Sequence, residues 1–103
     1  MQFEWDQRKA ALNEKKHGVT FREAMTTFDD PQLVIFDDLD HSIVEKSELL
    51  VRTSNRVRLL ITSFTMREEA VRIISSRRAS KKERLTYYEN LEKKNERKNG
   101  SFR

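Results

Sequence analysis

Apolar positions in this 103-residue chain recur with two different periods, and the change from one to the other divides it. Phe3-Glu4-Trp5 alternates and is aromatic, which predicts a brief edge strand. Asp6 then serves as the cap of a helix running to His17, and Gly18 stands just past its end, where a left-handed backbone suits glycine. Thr20-Phe21-Arg22-Glu23 has the Thr-x-x-Glu spacing of a capping box, and Phe21, Ala24, Met25 and Phe28 fall at i, i+3, i+4 and i+7. A second helix with one buried stripe is expected, ending before Asp29-Asp30-Pro31.

Beyond the proline the pattern shortens. Leu33 to Phe36 is a compact apolar run ahead of aspartates and reads as a strand. Leu49 to Thr53 and Val57 to Phe64 flank Ser54-Asn55-Arg56, short enough for a hairpin turn in which Asn55 tolerates positive φ. Ala70 to Ser75 can return across Met66-Arg67-Glu68-Glu69. Ser80-Lys81-Lys82-Glu83 is a second capping box and opens a last helix, with Leu85, Tyr88 and Leu91 on one apolar arc and Tyr87 at its edge. The expected fold is α+β: an antiparallel β-sheet of about four strands with two N-terminal helices and one C-terminal helix. Residues 1–95 read as a single domain. From Lys93 the chain is almost wholly polar and Asn99-Gly100 interrupts a helix, so residues 96–103 read as a frayed tail.

Composition sharpens this picture through charge. Apolar residues make up 36% and charged residues 37%, so a thin core should sit beneath a heavily solvated surface. Residues 77 to 103 hold ten Lys or Arg against four Glu, whereas Asp29, Asp30, Asp37, Asp38, Asp40, Glu45 and Glu48 are opposed only by Lys46. A basic end and an acidic middle suit a polyanion on one face and a basic protein on another, although two solvated faces give the same pattern. Without cysteine, neither a disulfide framework nor a thiolate metal site can form, and the two histidines, His17 and His41, show no ligand spacing. No metal or other cofactor is expected. No apolar run approaches a membrane span and no signal-peptide core is present, which predicts a cytoplasmic protein without membrane contact.

The chemistry concentrates in Arg72-Ile73-Ile74-Ser75-Ser76-Arg77-Arg78-Ala79, an apolar strand running into paired arginines and a helix cap. Guanidinium groups fixed at a strand end are well shaped to grip phosphate. Arg77, Arg78, Lys81 and Lys82 crowd four cations into six residues, an arrangement that is costly unless an anion or acidic partner meets them. Cleaving RNA without a metal requires deprotonation of the ribose 2′-hydroxyl, charge stabilisation at phosphorus, and a proton for the leaving 5′-oxygen. Arg67, Arg72, Arg77 and Arg78 suit the charge task; His17, Lys16, Glu68, Tyr87 and Tyr88 suit proton transfer. Other readings stand beside these. His17 at a helix C-terminus complements the macrodipole whatever its chemistry, and Tyr88, on the apolar arc, is a stronger core candidate than Tyr87.

Order and spacing at several separated points resemble the BrnT family of bacterial toxins, the ribonuclease half of a type II toxin-antitoxin pair. The matching residues are Phe3-Glu4-Trp5-Asp6, Lys16-His17-Gly18-Val19 with Phe21, Phe28-Asp29-Asp30-Pro31, the Arg72 to Ala79 segment, Glu83-Arg84 and Tyr88-Glu89. The resemblance implies a RelE-like fold, ribosome-independent cleavage of RNA, and a BrnA-type antitoxin bound in a heterotetramer, through which alone the toxin meets DNA. It further implies that Arg77 and Arg67 contact the scissile phosphate, that Lys16 and His17 lie at the RNA-facing end of the first helix, that Tyr87 or Tyr88 lines the site, and that Arg72, Arg78, Lys81 and Lys82 hold substrate. This chain departs from the family in Ser76, where alanine is usual, in Val51-Arg52-Thr53-Ser54, where a glycine is common, and in Glu68-Glu69, in place of a glycine turn. The competing reading is a non-catalytic nucleic-acid-binding or protein-interaction module, which would bind in a salt-sensitive manner without cutting.

Overall fold

The computed structural model describes residues 2–29, 35–37 and 47–100, with side chains described at all of these except 35–37 and 93–100. Leu33 and Val34 of the expected strand, His41, and Asp30, Asp38, Asp40, Glu45 and Lys46 of the acidic middle lie outside the described residues. The elements are β1 (Gln2–Glu4), α1 (Gln7–His17), α2 (Phe21–Thr26) continuing into a 3-10 turn (Thr27–Asp29), β2 (Ile35–Asp37), β3 (Glu48–Thr53), β4 (Leu59–Arg67), β5 (Ala70–Arg78) and α3 (Lys81–Gly100). The described strands form one sheet in the order β1-β5-β4-β3-β2.

The helix starts follow from their caps. Asp6 Oδ1 accepts the N–H groups of Arg8 at 2.8 Å and Lys9 at 3.2 Å, and Gly18 ends α1 with φ 68°. At α2, Thr20 Oγ1 accepts the Glu23 N–H at 3.1 Å, but the Glu23 carboxylate does not turn back to close the box. It is buried and binds Arg58 instead, accepting from Nε at 2.9 Å and from an Nη, while Ser54 Oγ donates to it at 2.6 Å. The charge-assisted bonds from Arg58 hold the Glu23 carboxyl below its ordinary range. Arg58 also reaches the Gly18 carbonyl at 3.1 Å, so this one residue ties both helix ends to the β3–β4 hairpin.

Among the described residues, two hydrophobic clusters lie on the sheet. Phe21, Ala24 and Phe28 pack with Leu50, Phe64, Val71 and Ile73, joined by Phe3, Trp5, Ala10 and Met25. Leu59, Ala79 and Tyr87 form the second, with Val51, Ile61 and Leu91. Strand alternation explains the division, because Leu50 and Val51 point to opposite faces, one under α2 and the other under α3.

The sheet is mixed where an antiparallel one was expected. β1 runs parallel to β5, pairing Gln2 with Ala70 through Glu4 with Arg72. Parallel neighbours need a long crossover, and residues 5–69 lie between these two strands. The pairing sets Phe3 edge-on to Phe28 at 5.3 Å. Positive φ falls on Val57 (60°) rather than Asn55, whose N–H instead donates to Thr26 Oγ1 at 3.0 Å. Val57 is 84% exposed, so its strained backbone is tolerated at a loop closed by Ser54 N–H to Arg58 O at 2.9 Å. Glu68, standing where glycine was missed, takes φ 55° in the tight β4–β5 turn.

α3 is rotated from the expected arc. Tyr87 is buried against the sheet, whereas Leu85 (57% exposed) and Tyr88 (48%) face outward. The arc through Leu85, Tyr88 and Leu91 is only one of two that contain Leu91, and the Arg52 Nη1 that donates to the Tyr87 hydroxyl at 2.9 Å favours the other. The helix also continues to Gly100, past the predicted start of the tail at 96. Glu, Lys and Arg between 92 and 98 are good helix formers, which offsets their polarity.

Candidate active site

The strand register brings Arg77 to the sheet face beneath α3. Val51 pairs with Ile61 and Ile61 with Arg77, so the three form one cross-strand row. A bulge between Ser63 and Phe64 in the β4–β5 ladder leaves Ile74 as the extra residue of β5, re-aiming the strand before the arginines. Ser80 and Glu83 complete the predicted capping box, with Ser80 N–H to Glu83 Oε1 at 2.8 Å and Glu83 N–H to Ser80 Oγ at 3.1 Å. The same carboxylate takes two parallel bonds from Arg77, Nη1 to Oε1 at 2.8 Å and Nη2 to Oε2 at 2.9 Å. Arg77 foremost, and the Ser80 N–H after it, push the Glu83 carboxyl down to about 2. Glu83 is thus an anion at any working pH and a poor base. It serves as the positioning residue of Arg77. Two of the five guanidinium N–H donors face it and Nη1 also reaches the Arg78 carbonyl at 3.5 Å, leaving the others directed away from Glu83.

The end of α1 comes to the same place through Asn13. β1 accompanies β5 only as far as Arg72, so the outward N–H and C=O of Ser76 have no strand beside them. The buried Asn13 amide takes that place, accepting from Ser76 N–H at 3.0 Å and donating to Ser76 O at 2.7 Å and Val19 O at 2.9 Å. Ser76 Oγ lies 2.8 Å from Thr62 Oγ1, which gives the hydroxyl at the family's usual alanine position a buried partner. One helical turn after Asn13 stands His17. Burial, then the charges of Lys16 and Arg77, hold its imidazole below the ordinary value of 6.5. A histidine serving the helix dipole would be favoured as a cation. Here the neutral form is favoured.

Arg67, Glu68 and Arg72 lie away from this point. Arg67 pairs with Ala70 at the hairpin, six residues along β4 from Ile61 opposite Arg77, or roughly 20 Å at the rise of an extended strand. Arg67 and Arg77 therefore do not meet at one phosphate. Arg72 lies beside β1, 3.9 Å from Glu4, on the far end of β5. Glu68 is at the hairpin with Arg67. Lys16, Arg78, Lys81 and Lys82 are exposed near the Arg77 end. Tyr87 is a core residue and Tyr88 an outward one, reversing their expected roles, with the two rings edge to face at 5.3 Å. Asn13 and Glu83 went unremarked in the sequence as site residues; Glu83 was visible as a cap, and Asn13 carried no signal beyond its place four residues before His17.

Between α3 and the sheet runs a groove of about 540 Å³. Leu49, Val51, Ile61, Tyr87 and Leu91 form its apolar walls, and Arg77 and Glu83 close one end. Among the described residues no cluster of His, Asp and Glu could hold a metal ion, and no helix is long and apolar enough to cross a membrane.

The family described as "Ribonuclease toxin, BrnT, of type II toxin-antitoxin system" matches residues 5–83. The chain belongs to the BrnT family of ribonuclease toxins. The crystal structure of the Brucella abortus ribonuclease toxin BrnT, at 1.1 Å resolution, superposes with a TM-score of 0.61 and 23% sequence identity, covering 79% of this chain and 99% of that one. No curated protein matches the chain. The α+β fold expected from the resemblance is thus that of a BrnT toxin. The BrnT match takes in Lys16, His17, Arg67, Arg77 and Glu83, and stops before Tyr87 and Tyr88.

Proposed function

We propose that this toxin cuts RNA by attack of the 2′-hydroxyl on the adjacent phosphate, without a metal and without the ribosome, at the end of β5 where His17 and Arg77 converge. The observation that carries the reading is the pair of bonds from Asn13, one helical turn before His17, to the backbone of Ser76, one residue before an Arg77 held in place by Glu83; the charge of Arg77 helps hold the His17 imidazole below its ordinary value. His17 accepts the 2′-hydroxyl proton, the 2′-oxygen forms a bond to phosphorus, and the bond to the 5′-oxygen breaks. The leaving oxygen takes a proton from Lys16 or water, and the products carry a 2′,3′-cyclic phosphate and a 5′-hydroxyl. Arg77 directs its remaining donors at the phosphorane oxygens, where charge accumulates. Arg78, Lys81 and Lys82 extend the cationic surface for neighbouring phosphates.

Neutralisation falls to a BrnA-type antitoxin that overhangs the Arg77 end and lays an apolar face on Leu85 and Tyr88, exposed one turn apart on α3. Acidic groups on it offset the cations it covers. The complex is a heterotetramer paired through the antitoxin, and sedimentation of the co-expressed pair tests this: a toxin that self-associates without antitoxin contradicts it.

Arg77→Ala tests the catalytic reading. Cleavage per folded molecule should fall by about two to three orders of magnitude, the usual loss of one preorganised charge-stabilising donor. Undiminished cleavage would remove Arg77 from the site, and loss of the fold would make it structural.

A further inference from the structure

We infer that the groove between α3 and the sheet is a nucleobase subsite, taking the base of a nucleotide whose phosphate lies on Arg77. The inference rests on the proposed ribonuclease reading and names what holds the substrate beside the cut. A nucleotide is an apolar, flat base joined through a ribose to an anion, and the groove has that polarity along its length. Its walls are Leu49, Val51, Ile61 and Leu91 with the Tyr87 ring, and at its polar end stand Arg77, paired with Glu83, and Lys82 at the rim, two cations against one carboxylate. The register fixes the juxtaposition, because Arg77 stands in the same cross-strand row as Ile61 and Val51. A phosphate bound there leaves its own base above those two side chains.

The volume, about 540 Å³, lies within the range of small-ligand sites and exceeds what a single side chain needs. Polar groups for edge recognition are few and placed on α3. The Tyr87 hydroxyl accepts from Arg52 at 2.9 Å and so turns its own proton toward another acceptor. Asn90 and Thr86 line the groove from the exposed side of the helix. An amide offers a donor and an acceptor side by side, the pattern that reads adenine. A protein segment would also fill an apolar groove and would meet Arg77 only through an acidic side chain, whereas a nucleotide carries its anion at a fixed reach from an apolar, flat base. The charge at one end favours a nucleotide.

Binding is measured apart from cleavage. Methyl resonances of the full-length protein are followed while the four 3′-nucleoside monophosphates, ribose 5-phosphate and inorganic phosphate are titrated in turn. Nucleotides should shift the Val51, Ile61 and Leu91 methyls and bind on the order of 10-fold more tightly than ribose 5-phosphate, the gain expected of one base on an apolar and aromatic wall. Leu49→Trp, which fills the groove, should abolish that gap. Should this variant fail to fold, Asn90→Ala, at an exposed helical position, should narrow the differences among the four bases. Equal affinity for nucleotides and ribose 5-phosphate would overturn the inference, as would groove methyls that respond only to the antitoxin. A protein that cuts RNA but shows no base preference refutes the subsite alone. One that prefers nucleotides but does not cut refutes the proposed cleavage and leaves the subsite standing.

Discussion

Among the described residues, Glu23 with Arg58 and Glu83 with Arg77 are both bidentate arginine–glutamate pairs, and they do opposite work. In the first, the Glu23 side chain is 3% exposed and Arg58 20%; in the second, Arg77 is 44% exposed and Glu83 37%. Glu23 gathers Arg58, Ser54 and the nearby Arg56 so that the charge is enclosed and the hairpin is locked to α2. Glu83 meets Arg77 from one side only and leaves the guanidinium open toward solvent. Equivalent chemistry therefore gives an enclosed strut where it is buried and a guanidinium free to meet solvent where it is half-open. Burial, not bonding pattern, separates the two.

Breaking the strut should have the largest effect on the fold. Glu23→Ala leaves Arg58 and Ser54 without their acceptor and should lower stability by about 3 kcal/mol. Denaturant titration checks this, and turnover per folded molecule should stay close to that of the parent. A variant that keeps its stability would show that the enclosed pair contributes little.

Next in size is His17, where site and strut predict different outcomes. His17→Ala should cut turnover by about 100-fold with little change in melting temperature. Because the folded imidazole titrates below 6.5, the unfolded chain binds this proton first as the pH falls. The parent should accordingly lose stability below pH 6.5, down through the folded value, while His17→Ala lacks that component. The acid limb of kcat/KM, which reports the free protein, should lie below 6.5 in the parent. A limb above 6.5 would mean that the imidazolium is favoured, as the helix-dipole role requires.

Much of this architecture was legible in the sequence, and what was legible was local. Asp6, Gly18, Thr20 and the Ser80–Glu83 box declare helix ends through hydrogen bonds within a few residues. The apolar runs from Leu49 to Ser75 declared the meander by their spacing. What escaped depended on distant partners. Glu23 looked like the second half of a capping box until Arg58, 35 residues on, claimed its carboxylate. Tyr87 and Tyr88 are adjacent and alike, so only the sheet beneath α3 could choose between them. Arg67 and Arg77 both end apolar strands, and only the antiparallel register reveals that they end them at opposite ends of the sheet. Asn13 bonds a residue 63 positions away. Its role as a substitute strand arises because β1 stops at Glu4.

On the proposed mechanism, protein groups at the end of β5, and no metal, cleave the RNA. The direct measurement is incubation of the purified protein with single-stranded RNA in excess chelator, followed by analysis of the product ends. Cleavage should proceed at an undiminished rate, with 2′,3′-cyclic phosphate and 5′-hydroxyl termini. Cleavage that requires added divalent metal, or that leaves a 5′-phosphate, would contradict it.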